Sequence, residues 1–158
     1  MKLRFAIAGL LATMPFGAAL AETYSANGTG MGTTSAEQMP VSEDLIVVHS
    51  MTTYDGFEVD DADNPLASLT GPCFGAVLID AGAVSGGGNC HYTDADGDKV
   101  VMAWTATGMS ETGRTMGEWS VVGGTGKWES AEGGGTFDAG DDAQGDYSNQ
   151  IMGEITMP

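Results

Sequence analysis

His49 and His91 are the chain's two histidines, and ten methionines accompany them. Imidazole with thioether is a donor set for Cu(I). Met51 lies on the same strand face as His49, and Met102 comes opposite His91 in a hairpin indexed below. No His-x-His or Met-x-x-Met spacing supports ligation, so packing methionines are the better reading and no metal site or cofactor is expected. Asp94-Ala95-Asp96-Gly97-Asp98 resembles the start of a calcium loop, but Lys99 and Thr105 occupy the positions that need Gly and a bidentate Glu. A hairpin turn explains it better. Ser50 beside His49 is no nucleophile pair, because adjacent strand residues point to opposite faces. No Gly-x-Ser-x-Gly occurs either. Carboxylates are too numerous for any pair to be singled out, and Asp138, Asp141, Asp142 and Asp146 read as a solvated loop.

The charge balance narrows the partners. Five basic residues against 22 acidic ones give a net charge of −17. A nucleic-acid backbone binder needs Lys and Arg to displace counterions, so nucleic acid is excluded. Anionic lipid is disfavoured for the same reason. An apolar content of 42% is too high for a wholly disordered chain, and 158 residues is the length of one domain.

Lys2 and Arg4 precede an apolar run, Phe5 to Ala12, broken only by Gly9. Ala19-Leu20-Ala21 then supplies the small residues of a cleavage site. Residues 1–21 read as a signal peptide cut after Ala21, with the protein periplasmic or secreted. The run is too short for a membrane anchor. Cleavage leaves Lys99, Arg114 and Lys127 against all 22 acids. Such charge keeps a protein soluble, and a saline medium would screen its self-repulsion.

Residues 22–42, with Ser25 to Ser35 rich in Gly and Thr, read as a flexible arm. Residues 43–158 form the folded domain. Leu45 to Thr53 is β-branched and extended, and predicts a strand. Residues 54–72 read as a long acidic loop. Strand-length runs follow at 73–80, 83–93, 99–107, 117–123, 134–138 and 147–157, punctuated by Gly, Asp-Gly or Asn. One short helical turn fits Thr125 to Ser130. The pattern predicts an all-β sandwich or antiparallel barrel.

Two hairpins can be indexed. A two-residue loop at Asp96-Gly97 would pair Thr93 with Val100, His91 with Met102 and Cys90 with Ala103. A two-residue loop at Ala81-Gly82 would pair Asp80 with Ala83 and set Cys73 opposite Cys90, within disulfide reach. An exported protein with two cysteines oxidises them by default, although free thiols or a metal pair would be the alternatives. Gly86-Gly87-Gly88 could hide a bulge that shifts this register. These indexings put Val77, Ile79, Val84, Cys90, Tyr92, Val101 and Ala103 on one face, the expected interior. Phe74, Leu78, Asn89, His91, Met102 and Trp104 fall on the other, an oligomer surface or a cavity wall.

Residues 121–137 include Gly123-Gly124-Thr125-Gly126-Lys127-Trp128, followed by Ala131 and Gly133. This stretch resembles the Gly-Gly-Thr-Gly-x-aromatic-x-x-Ala-x-Gly segment of dirigent proteins and the related allene oxide cyclases. The resemblance implies an eight-stranded antiparallel, lipocalin-like β-barrel with an apolar cavity, in a bacterial-type secreted relative. It also raises a homotrimer as an alternative assembly. Physically, the glycines permit a sharp turn, Thr125 can cap it, and Trp128 packs back on the barrel end. Dirigent proteins usually carry Arg after the Ala, where this chain has Glu132, so no catalytic role is carried over. The expected function is binding of a small apolar or aromatic molecule, with Tyr92, Trp104 and Trp119 as walls and His49 and His91 as further candidates. A cyclase or isomerase that confines a reactive substrate is the enzymatic alternative. A trimeric interaction protein, with the Met102/Trp104 face buried, is the structural one.

Overall fold

The computed structural model describes residues 21–142 and 144–158, so all of the expected signal segment except Ala21 lies outside the described residues. The strands are β1 (Glu22–Ser25), β2 (Gly28–Pro40), β3 (Leu45–Val59), β4 (Gly71–Asp80), β5 (Ala83–Thr93), β6 (Lys99–Met109), β7 (Thr115–Gly124), β8 (Glu132–Asp141) and β9 (Tyr147–Met157). From β2 onward each pairs antiparallel with the next, and β9 returns to pair with β2 and β1. The result is a closed antiparallel barrel of eight strands, because β1 and β2 share one edge of β9. β1 lies against Glu154–Met157 and β2 against Ser148–Ile151. Ala26 bridges the break by donating its N–H to the Gly153 carbonyl at 2.8 Å.

Residues 22–42 are therefore not a flexible arm. They supply the strand that closes the barrel. Composition misled because closure gives the backbone of Gly28–Met31 ladder partners on both sides and that of the rest of β2 a partner in β3, while neighbours supply the apolar bulk at Gly30. Gly30 is buried, and a Cβ there would stand 2.7 Å from Phe57 Cε1 and 2.9 Å from Tyr54 Cε1. The acidic loop is also shorter than expected. β3 runs on to Val59, and Pro65–Ser68 forms a 3₁₀ turn capped by the Asn64 side chain, which accepts from Leu66 N–H at 3.0 Å.

The β4–β5 hairpin is as indexed. Ala81 and Gly82 have φ of 47° and 86°, Asp80 pairs with Ala83, and no shift interrupts the ladder down to Cys73↔Cys90. The cysteines are bridged, with Cα atoms 3.8 Å apart.

The β5–β6 hairpin differs by one residue. Cys90 pairs with Met102 and His91 with Val101. Asp94 pairs its backbone with Asp98, leaving a three-residue loop in which only Gly97 has positive φ, at 88°. The Asp94 carboxylate selects this turn, because Oδ1 accepts from the N–H groups of Asp96 and Asp98, both at 2.9 Å. A one-residue slip reverses every side chain of a strand. Met102 and Trp104 accordingly line the interior, whereas Val101 and Ala103 share register with exposed His91 and Asn89. The expected interior assignment of Val101 is overturned, whereas Ala103, though it pairs with exposed Asn89, still borders the cavity.

The two barrel ends are unlike. At one, the 3₁₀ turns Pro65–Ser68 and Gly126–Trp128 fold inward and bury Leu66, Leu69 and Trp128 with Val100 and Ile155. Thr125 does not cap its turn through the side chain; its Oγ1 accepts from Lys99 N–H at 2.9 Å and ties the turn to β6. At the other end, β2 parts from β9 beyond Met31 and pairs with β3 alone as far as Pro40. The wall there is open between β2 and the start of β9.

Candidate functional site

The open end leads into a cavity of about 390 Å³, within the size range of small-molecule sites. Strands β2 to β9 contribute to it, largely through alternate residues. Ser50, Thr52 and Tyr54 enter from β3, Val77 and Ile79 from β4, and Cys90 and Tyr92 from β5. Met102 and Trp104 enter from β6, Trp119 from β7, Phe137 and Ala139 from β8, and Tyr147, Asn149 and Ile151 from β9. The disulfide is part of this wall, since Cys73 and Cys90 both line it.

Tyr54 and Phe57 stack, with ring centres 5.3 Å apart and planes at 16°, while the other aromatic pairs meet edge to face. Tyr54 stands against Tyr92 with ring centres 5.8 Å apart and against Tyr147 at 6.1 Å, and Phe57 meets Tyr92 at 5.6 Å. Across the cavity Trp104 meets Phe137 at 6.1 Å and 86°. Perpendicular rings place the positive edge of one on the negative face of the next.

A polar thread runs through this apolar lining. Asn149 Nδ2 donates to the Tyr54 hydroxyl at 3.0 Å, which in turn lies 3.1 Å from the Tyr147 hydroxyl. Either hydroxyl can donate in the Tyr54–Tyr147 contact, since the Tyr54 oxygen has lone pairs for both Asn149 and Tyr147. Burial pushes the Tyr54 and Tyr92 phenols well above their ordinary range, with the neighbouring tyrosines adding to the effect. Both are neutral hydroxyls at physiological pH, able to donate a hydrogen bond but not to act as phenolate bases. Trp119 Nε1 donates to the Met152 carbonyl at 3.3 Å. Trp104 Nε1 and Asn149 Oδ1 are buried and meet no partner among the described residues.

The structure brings Tyr92, Trp104 and Trp119 together in the cavity wall. It does not bring the histidines there. His49 lies between Glu37 and Ala76, and His91 opposite Val101, both exposed on the outer face. Strand parity puts them outside because their neighbours Ser50 and Tyr92 point in. Met102 leaves the expected outer face for the same reason, so no pairing of His91 with Met102 forms. Tyr54, Phe57, Phe137, Tyr147 and Asn149 were not foreseen. Their alternation with exposed residues was visible, but β3 reverses the usual polarity. Met51 is 50% exposed while Thr52 is 6% exposed, its hydroxyl donating to Thr34 Oγ1 at 3.0 Å.

No protein-family model and no curated protein sequence matches the chain. Among solved structures the fold is similar to that of the pterocarpan synthase dirigent protein GePTS1. The TM-score is 0.54 at 15% sequence identity, over 94% of this chain and 97% of that one. The likeness establishes a dirigent-like barrel fold.

Proposed function

We propose that this barrel is an exported carrier or receptor that holds a small apolar or aromatic molecule in its cavity. The observation that carries the reading is the lining itself: two indoles and three phenols around an open-ended space, with one hydrogen-bonded thread to orient a polar group. Export is supported by the basic head, apolar run and small residues of the segment 1–21. Intrinsic fluorescence tests the reading, because Trp104 and Trp119 line the cavity while Trp128 is buried in the closed end. Aromatic and terpenoid compounds should shift the emission and raise the melting temperature of the wild type. Neither should change in Ala139→Phe, which fills the cavity from β8. An unmoved wild type across such a library would defeat the proposal.

An enzymatic reading comes second. The similar structure is that of a pterocarpan synthase dirigent protein, and the Asn149–Tyr54–Tyr147 thread offers a neutral proton donor inside a confining pocket. Turnover that Ala139→Phe abolishes would favour it. A trimer, the remaining expectation, cannot use Met102 and Trp104, which face inward. Its surface would be the outer stripe where exposed Met51 pairs with exposed Phe74, beside exposed Leu78. Light scattering on the wild type and on Phe74→Lys tests that assembly.

A further inference from the structure

We propose that the cavity's ligand is an organic cation, a protonated amine on an aromatic or aliphatic body. The inference rests on the binding reading above and adds the sign of the ligand's charge. It starts from the entrance. Every turn at the open end carries carboxylates: Glu43 and Asp44 between β2 and β3, Asp80 at the end of β4, Glu111 between β6 and β7, and Asp141 and Asp146 around the β8–β9 turn. Among the described residues Asp141 is the one charged residue in the cavity lining.

No free cation faces this ring among the described residues. Among the described residues the cations are Lys99, Lys127 and Arg114. Both lysines belong to the closed end, where Lys127 is paired with Asp94 and Asp96 at 3.0 and 2.8 Å. Arg114 lies near the entrance, but its guanidinium is spent on the barrel's outer surface. It donates to Asp138, to the carbonyls of Asp138, Gly140 and Ser148, and to the Ser148 hydroxyl. An anionic ligand would cross a ring of like charge and meet no counter-ion inside. A cation is drawn to the mouth by the field, which low-dielectric walls focus. Inside, it finds a wall that includes Tyr54, Tyr92, Tyr147, Trp104 and Trp119, aromatic groups of the kind that attract ammonium ions.

The test uses three ligands with one body: naphthalene bearing a methylammonium, a hydroxymethyl or a carboxylate group. Binding to the full-length mature protein is followed by tryptophan fluorescence and calorimetry. At low salt the ammonium should bind roughly tenfold or more tighter than the alcohol, and the carboxylate weakest. That preference should shrink in about 1 M salt, where charges are screened within about 3 Å. It should fall to near parity in a rim variant combining Asp80→Asn, Glu111→Gln, Asp141→Asn and Asp146→Asn. Equal or tighter binding of the alcohol or the carboxylate by the wild type overturns the inference and leaves cavity binding intact. A preference that survives both salt and the rim variant overturns the role of the entrance. Failure of all three to bind overturns the binding reading itself, and the inference with it. The salt series on the wild type decides the matter even where the rim variant does not fold.

Discussion

Trp128 donates its indole N–H to the carboxylate of Asp94 at 2.9 Å, across the closed end and 34 residues away in sequence. Both side chains are buried, and the same carboxylate takes Lys127 at 3.0 Å. One residue thus fixes the β5–β6 turn, anchors the indole that plugs the barrel, and sets the register that turns Met102 and Trp104 inward.

This carboxylate gives the fold an acid limit. Burial alone would raise its pKa, but hydrogen bonds from Trp128, Lys127 and the Asp98 N–H outweigh that, and the net shift is downward. A carboxyl group with a lowered folded pKa stabilises the fold above its unfolded value of about 3.9. That contribution is lost as pH falls through the folded value. Urea unfolding should therefore show stability declining below about pH 4, with a shallower decline in Asp94→Asn. Trp128→Phe, which leaves the carboxylate short of a donor, should cost about 1–3 kcal/mol at neutral pH.

The disulfide should matter to stability more than to shape. Cys73 and Cys90 lie 17 residues apart and are already paired in the β4–β5 ladder. Cross-linking a loop of this length contributes about 3 kcal/mol by restricting the unfolded chain. Urea midpoints of the oxidised protein and of Cys73→Ala/Cys90→Ala should differ accordingly, while their far-ultraviolet circular dichroism coincides. Two titratable thiols in unfolded, unreduced protein would contradict the bridge.

Much of the barrel could be read from residue order. The runs from 73 onward became strands with ends moved by a few residues, and the Cys73↔Cys90 register followed from the Ala81-Gly82 turn. Two features escaped for physical reasons. The Asp94 side chain converts an apparent two-residue Asp-Gly loop into a three-residue one, an effect of a long-range cage that local turn preference does not encode. Strand β2 needs no bulky side chain at Gly30 because Tyr54 and Phe57 of β3 fill the space beside it. The cavity wall was half legible: Tyr92, Trp104 and Trp119 are large aromatics on strands, whereas Thr52 and Asn149 point inward against their polarity.

Gly30 tests the closure directly. An added methyl would meet Phe57 and Tyr54 ring atoms closer than 3 Å, within strand β2 where it pairs with both β3 and β9. Gly30→Ala should destabilise by about 1–3 kcal/mol, the cost of overpacking. Hydrogen exchange should show strong protection at 28–31. Rapid exchange there, at the rate of unstructured peptide, would restore the flexible arm.

The aromatic cavity also sets an alkaline limit, which can be watched optically. Of four tyrosines, Tyr54 and Tyr92 are buried with strongly raised pKa values, the first cause in each case being burial. A group whose folded pKa lies above its unfolded one stabilises fully below the unfolded value, here about 10, and that stability is lost as pH rises through the folded value. The native protein should therefore withhold these two phenolates in a spectrophotometric titration and release them together as the barrel unfolds. Tyr147→Phe removes one partner of the Tyr54 hydroxyl and leaves Asn149 donating to it, so the withheld pair should persist. In Tyr92→Phe only one phenolate should appear at the unfolding step. If all tyrosines of the wild type ionised in one smooth transition near pH 10 without unfolding, the buried, neutral hydroxyl lining would be refuted, and with it the proton donor on which the enzymatic reading depends.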